Sequence, residues 1–497
     1  MTKLINFMTI TLRLKERETL LLFFILVAAF AIRFFRLGLE SFWLDELYVA
    51  NEADPHLPLS NLFVMLKCCD QHPPLFYLAE RCFFFFFGRS EATARMLPAA
   101  AGVVSVYAVY LLGKEIAGRS LGLVASALTC VNHFHILYSR EARGYMFTFL
   151  FAALSLVYLF RLIKQLRARD AGYYALFALL TMYSHYFGVL LVFSQFCAAG
   201  VLFISRKDKT LYAKRFGLSA ILILAGYSVW MPVLFSIMKI KSFWIPALPG
   251  NWLLVFFSNY FGGIPDLVHI MEALLVIFAI GVFARKNWKW PDVDRQSLRL
   301  SFVVLGTISL LGYSIPYVRG LMTTPMLLER YTIILLPGLF IALAWGVEMV
   351  PLAWLRYSAL AVVLFLSVQR EVSFFKTWSK QYKTQFRDVT AFMASDTATN
   401  HYPILNDRIG WFESYYLHRF DYPGRLLEAP RAAVIDSLVN GKSPEWKTNG
   451  FWLMNAHGAG DPATWLDTDS RRKVDSIFVK VKDQRFIDTW AQLYKRK

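Results

Sequence analysis

From residue 20 to residue 369 the chain is mostly apolar runs, many of them long enough to cross a bilayer as helices. A helix rises about 1.5 Å per residue, so a ~30 Å hydrocarbon core calls for about 20 residues. Such runs lie near 20–36, 94–112, 120–138, 144–163, 172–185, 188–204, 216–234, 267–284, 299–317, 331–349 and 352–369, with 172–185 short. The stretch 172–204 is too long for one span, and His185 and Gly188 near its middle predict a tight reversal. With 57% of 497 residues hydrophobic and 18% charged, a soluble fold could not hide this surface. The fold class is an all-α polytopic membrane protein of about 11 transmembrane helices, with the lipid bilayer as its partner.

The net charge of +18 suits Lys and Arg in cytoplasmic loops facing anionic lipid, and no nucleic-acid partner is expected. Five basic segments (the N-terminus, Lys114 with Arg119, 161–169, 206–215 and 285–299) set the orientation. With all five in the cytoplasm, the N-terminus is inside. The outer loops are then 37–93, 139–143, 185–187, 235–266 and 318–330, and everything after 370 is outside. Arg13, Lys15 and Arg17 before the first run resemble a signal-anchor without a cleavage site. The localisation expected is a multi-pass protein of the cell (inner) membrane. Cys130 and Cys197 fall in apolar runs as buried thiols, and adjacent Cys68 and Cys69 bridge only with strain.

Counting 75–88 as a span would flip every later loop, and as a helix it is only about 21 Å long. It is read as a helix along the outer interface with Glu80 and Arg81 turned to water, and 59–68 as a second one. No internal repeat is visible. From 370 the apolar runs shorten: 386–395 reads as a helix, 402–405, 450–455 and 476–482 as strands, and 486–494 as an amphipathic helix. The domains expected are a transmembrane catalytic domain, 1–369, and a small extracytoplasmic α/β domain, 370–497. The 411–418 segment reads as a packed amphipathic helix.

Ionisable groups gather in the outer loops. Asp45 and Glu46 follow Trp43, point about 100° apart in a helix and need not share one task; a carboxylate here can take a proton from a hydroxyl. Acidic residues also favour a helix N-terminus for structural reasons alone. Asp70 and His72 precede two prolines that stiffen the backbone. The turn holding Arg140, Glu141, Arg143 and Tyr145 offers two guanidiniums to a phosphate or carboxylate, or a plain Arg–Glu pair. Arg330 and Tyr331 open a span, where Arg330 pairs with an anionic head group or snorkels. His185, Lys239 and Lys241 sit at the same outer level as substrate-binding candidates. Glu46, His72 and His185 are also candidates to hold a divalent metal cation. Glu52, Asp54 and His56 read as solvated loop. Carboxylates, His and Arg converging from separate loops suit transfer of a group from a lipid-linked phosphate.

At these residues the sequence resembles the membrane glycosyltransferases of the GT-C fold. The likeness is to the branch of dolichyl-phosphate-mannose protein mannosyltransferases and bacterial aminoarabinose transferases (glycosyltransferase family 39-like). It is carried in order by SFWLDE, QHPPLFY, YSREARGY and YSHYFG over 40–190, then ERY at 329–331 and YKTQFRD at 382–388. The resemblance implies a polyprenyl-phosphate-linked sugar donor, an extracytoplasmic acceptor (protein, lipid or glycan), Asp45 as base with Glu46 beside it, and His72 and Arg330 near the donor phosphate. Arg140, Glu141 and Arg143 carry over as binding residues. The chain lacks the Lys before proline of the aminoarabinose transferases and a luminal β-trefoil insertion. The rival functions are a lipid-linked sugar flippase or transporter, a binding-only protein, and an oligosaccharide ligase with a pyrophosphate-linked donor.

Overall fold

The computed structural model describes residues 2–240, 244–283, 294–378, 381–406, 410–428, 435 and 448–497, with side chains from residue 16 onward and not at 376–378. Lys241 and residues 285–293 of the last basic segment lie outside the described residues. The chain divides into two compact units. The first comprises Met1–Phe35, Pro58–Ala79 and Arg95–Phe374; the second comprises Arg36–Leu57, Glu80–Ala94 and Phe375–Lys497.

The first unit is helical, and the chain is a multi-pass membrane protein. Its helices include α1 (Thr2–Phe34), α3 (Leu59–Cys68), α5 (Glu91–Ala117), α8 (Tyr145–Gln165), α9 (Ala168–Ser184), α10 (Phe187–Ile204), α14 (Pro265–Phe283), α15 (Arg295–Met322), α16 (Leu336–Glu348) and α17 (Ala353–Trp378). Among the described residues, seven helices are long and apolar enough to cross a bilayer, or nine if each of two bent pairs is one span. At 17 residues, α9 is shorter than any of those seven. The reversal expected in 172–204 falls between Ser184 and Phe187. A Cβ on Gly188 would lie 2.5 Å from Thr181 O, so only glycine lets the two helices meet there. The helix α16 is buried on nearly all sides, while α17 turns Trp354 and Phe365 outward, as a lipid-facing helix does.

The run 120–138, expected as one span, is two helices, α6 (Arg119–Cys130) and α7 (His133–Ser139), bent by 64°. Asn132 caps α7 by accepting His135 N–H at 2.9 Å. Fully buried Arg33 closes the other side of the break. It donates to Thr129 O (3.3 Å), Cys130 O (3.2 Å) and His135 Nδ1 (2.8 Å). An arginine only donates, so His135 Nδ1 accepts and its Nε2–H faces Ser105 Oγ at 2.7 Å. The run 216–234 is likewise bent, by 79°, between α11 (Lys209–Tyr227) and α12 (Met231–Met238), where Pro232 opens the second helix.

The second unit holds a five-stranded sheet in the order β2-β1-β3-β5-β4, from β1 (Ile404–Asn406), β2 (Leu426–Glu428), β3 (Gly450–Ala456), β4 (Phe478–Phe486) and β5 (Thr489–Arg496). Strands β1, β2 and β3 are parallel, and β5 runs antiparallel between β3 and β4. The helix expected at 486–494 is therefore a strand. Phe486, Trp490 and Tyr494 have helical spacing, but β5 is central and buried along most of its length, so alternation does not show. Helices α18 (Phe386–Ser395) and α19 (Gly410–Arg419) form where expected. Helix α2 (Leu44–Glu52) packs on α19: Tyr48 lies 5.3 Å from Trp411 and 5.0 Å from Phe412 by ring centroids, and Tyr416 Oη accepts Phe42 N–H at 2.8 Å.

Three loop readings are corrected. The 75–88 segment is a helix, α4 (Leu75–Phe87), but Glu80 is fully buried rather than turned to water. Neighbours on a helix point about 100° apart; Arg81 donates to the carbonyls of Asp54, Pro55 and Leu57, which leaves Glu80 inward. Burial pushes the Glu80 carboxyl well above the usual range. Asp54 is not solvated either: it pairs with Arg89 at 2.7 Å, and Glu52 is buried. Cys68 and Cys69 form a disulfide, while Cys130 is buried and Cys197 is half-buried.

Within the second unit Glu413 is buried and pushed up to about 8 by loss of water. Its Oε1 accepts from Thr390 Oγ1, a hydroxyl that also faces Phe386 O at 2.7 Å; that bond favours the carboxylate, but loss of water outweighs it. The unfolded carboxyl releases its proton near 4.5. Glu413 therefore stabilises the unit fully below that pH, and the contribution fades as pH rises to about 8. Hydrogen-exchange protection of α18 and α19 in the full-length protein, taken relative to the intrinsic rate at each pH, should fall between pH 5 and 8, and Glu413→Gln should flatten the trend.

Candidate functional site

Three of the motif stretches of the sequence meet within the first unit. Gly144 marks the junction: a Cβ there would lie 3.2 Å from Phe76 Cβ and 3.4 Å from Ser184 O. Phe76 belongs to QHPPLFY, Gly144 to YSREARGY and Ser184 to YSHYFG. Each stretch lies at a helix end where the chain turns, which exposes polar groups without interrupting a span.

Asp70 follows α3, and Gln71 takes a left-handed φ of +45°, a strained conformation for a residue with a side chain. Pro73 and Pro74 then stiffen the entry to α4. This turn aims Asp70 at Arg143, whose Nη1 and Nη2 donate to Asp70 Oδ2 and Oδ1 at 3.1 and 3.2 Å. Both side chains are nearly buried, 6% and 4% exposed, so the pair forms in low dielectric. Tyr77 Oη donates to Asp70 Oδ2 and accepts from Arg143 Nη1 at 2.9 Å. His72 Nδ1 faces Asp70 Oδ1 at 3.2 Å, and its Nε2 accepts from Arg143 Nη2 at 3.2 Å. Burial pushes the Asp70 carboxyl up, but Arg143 and then His72 outweigh it and hold it well below the usual carboxylate range.

His185 extends the cluster, its ring centroid 6.1 Å from His72 and 4.9 Å from Tyr331. Its Nδ1 accepts Phe187 N–H at 3.1 Å, so the proton of the neutral ring sits on Nε2. Tyr145 lies 6.2 Å from His185. Arg330 and Tyr331 stand on a 3-10 turn, Glu329–Leu335, that leads into α16. The half-buried Arg330 guanidinium lies 5.5 Å from the Trp244 ring and 5.8 Å from that of Tyr331. Neighbouring Glu329 accepts from Asn259 Nδ2 at 2.5 Å.

The remaining expected residues are placed as follows. Arg140 Nη1 donates to Ile32 O and Arg33 O at 3.3 and 3.1 Å, tying the turn to the end of α1. Glu141 is buried and Lys239 is exposed at the end of α12. In the second unit, Asp45 is half-buried on the first turn of α2. Glu46 is fully buried, accepts Trp43 N–H at 3.4 Å and lies 3.6 Å from Lys383 Nζ. Among the described residues no three His, Cys, Asp or Glu side chains group as metal ligands. Tyr77 and Trp244 were not singled out in the sequence. Tyr77 sits inside QHPPLFY and was recoverable from its motif; Trp244 is remote in sequence and carried no signal.

In the first unit the Arg143 charge is balanced by Asp70. Arg330 and the His185 Nε2–H are donors of a kind that suits a phosphate oxygen.

Residues 71–235, less than half of the chain, match the model of the dolichyl-phosphate-mannose-protein mannosyltransferase family. The fold resembles that of ArnT from Cupriavidus metallidurans in the apo state, with a TM-score of 0.61 at 11% identity over 97% of this chain and 98% of that one. The same protein bound to undecaprenyl phosphate aligns with a TM-score of 0.46 at 11% identity over 96% and 97%. An Archaeoglobus fulgidus oligosaccharyltransferase, in complex with Zn and sulfate, aligns at 0.48 and 10% identity over 87% and 67%. No curated protein matches the sequence.

Removing one member of a buried ion pair strands the other. Asp70→Asn should destabilise the full-length protein in detergent by about 3–5 kcal/mol. The double variant with Arg143→Gln should be less damaging than the sum of the single changes. Because the Asp70 carboxyl is depressed in the folded protein, its stabilisation is present above the unfolded value of about 4 and lost on acidification. Asp70→Asn should therefore remove part of the acid sensitivity of thermal unfolding.

Proposed function

We propose that this chain, a membrane glycosyltransferase with the GT-C fold, moves a sugar from a polyprenyl-phosphate donor to an acceptor hydroxyl on the extracytoplasmic face. The observation that carries the reading is the buried Asp70–His72–Tyr77–Arg143 cluster, joined by His185 to Tyr331 beside Arg330, within a fold that covers 97% of the chain. Most of this cluster falls in the 71–235 family match.

Arg330 holds the donor phosphate, backed by Trp244 and Tyr331, with the His185 Nε2–H as a second donor. As the bond between the anomeric carbon and the phosphate oxygen breaks, charge grows on that oxygen, and preorganised donors stabilise it most at that moment. The acceptor oxygen attacks the anomeric carbon from the opposite side, with inversion, and Asp45 takes its proton. Polyprenyl phosphate leaves. Arg143 shapes the pocket through His72 and Tyr77, with its own charge balanced by Asp70. The basic loops lie in the cytoplasm and residues after 370 lie outside, where the acceptor is met.

Membranes carrying Asp45→Asn, supplied with tritiated polyprenyl-phosphate sugars, should transfer about 10²–10⁴-fold less than wild type. Arg330→Ala should lose a comparable factor of about 10²–10³ in kcat. Undiminished transfer by Asp45→Asn would remove the base from the mechanism. Release of a lipid pyrophosphate rather than a monophosphate would identify a ligase, and donor movement across the bilayer without transfer would identify a flippase.

A further inference from the structure

In the second unit, residues 381–387 and 38–46 grip each other in both directions. Glu40 accepts the backbone N–H of Tyr382 (3.0 and 3.2 Å to its two oxygens) and of Lys383 (3.2 Å). Gln381 Nε2 donates to Leu39 O at 3.3 Å. Arg387 donates to Leu39 O (2.7 Å) and Gly38 O (3.1 Å), and its backbone N–H reaches Ser41 Oγ at 3.0 Å. One segment thus threads beside the other and fixes the entry to α2.

The return contact is Lys383. Its Nζ lies 5.6 Å from the centroid of the Trp43 ring and 3.6 Å from Glu46 Oε2. Glu46 is fully buried, and Lys383 is only 10% exposed on its side chain. A carboxylate held in that setting needs a cation beside it, or it takes up a proton and releases the turn. The same Oε2 accepts Trp43 N–H at 3.4 Å and closes the first turn of α2. Glu46 is therefore committed to the turn. Asp45, one residue earlier, points about 100° away and is half-buried.

We propose that Lys383 is a positioning residue for Asp45: through Glu46 and Trp43 it sets the rotation of α2 about its axis, and so the direction of the Asp45 carboxylate. The consequence for the reaction rests on the reading of Asp45 as the base; the clamp on α2 does not. A misdirected base lowers the rate of proton transfer while donor binding stays as it was. The paired carboxylates of the DE dipeptide then have separate work, one chemical and one structural.

The test uses full-length protein in nanodiscs, with hydrogen exchange at residues 43–49 and transfer from tritiated polyprenyl-phosphate sugars as readouts. Lys383→Met keeps the stem and removes the charge. It should speed exchange at 43–49 and lower kcat by about 10- to 100-fold with little change in donor KM. Lys383→Arg should restore both to near wild type. In a Glu46→Gln background, where the carboxylate that Lys383 serves is gone, Lys383→Met should add little. Wild-type exchange at 43–49 in Lys383→Met, in a protein whose other peptides exchange normally, overturns the clamp. Faster exchange with unchanged kcat, or a loss expressed in KM alone, overturns the positioning role. Full activity in Asp45→Asn overturns the base reading instead, and the exchange result still decides the clamp.

Discussion

A helix that breaks within a membrane must find partners for the carbonyls it frees, because the hydrocarbon supplies none. In the first unit that requirement is met by Arg33, which caps the end of α6 and orients His135. The capped break turns α7 by 64°, and the chain emerges as the turn that carries Arg143. Arg140 ties that turn to the carbonyls of Ile32 and Arg33. One buried guanidinium and one half-buried one thus hold the base of the site from the same helix end. A charge is costly at such a depth, and it is tolerated because nearly every donor has an acceptor.

On that base the ion pair of Asp70 with Arg143 organises the rest. It is bidentate and nearly dry, and it brings Tyr77 and His72 with it. The arginines of the site therefore differ in kind. Arg143 is spent on an internal carboxylate and acts through the groups it holds, while Arg330 is braced by aromatic rings. The second unit repeats the pattern: buried Glu46 is matched to Lys383, and Glu91 is clasped by Arg387 and Arg419 at 3.2 and 2.5 Å.

Much of the helical part was legible, because apolar run length is local. The reversal at 185–187, the interfacial-length helix at 75–87 and the helix at 386–395 all follow from short-range pattern. The bend at Asn132 was not, since Arg33 lies about a hundred residues away in sequence. Nor was the strand at 489–496, whose helical spacing is overridden by pairing with β3 and β4 on both sides. Three of the motif stretches meet at Gly144, and two of their neighbours were misjudged: Asp54 is paired with Arg89 and Glu80 is buried.

The sequence by itself determined a membrane protein with polar residues concentrated in a few loops, because transfer of a residue into hydrocarbon depends on that residue and its near neighbours. Its ordered motifs also determined the GT-C kinship. The tertiary structure alone decided which charge meets which. Asp70 to Arg143 and Glu46 to Lys383 are contacts between residues 73 and 337 positions apart (143 − 70; 383 − 46). No local pattern encodes such a pairing, because a buried charge is matched by whatever the folded chain brings within reach. That matching gives Glu46 of the DE dipeptide a partner that the sequence did not show.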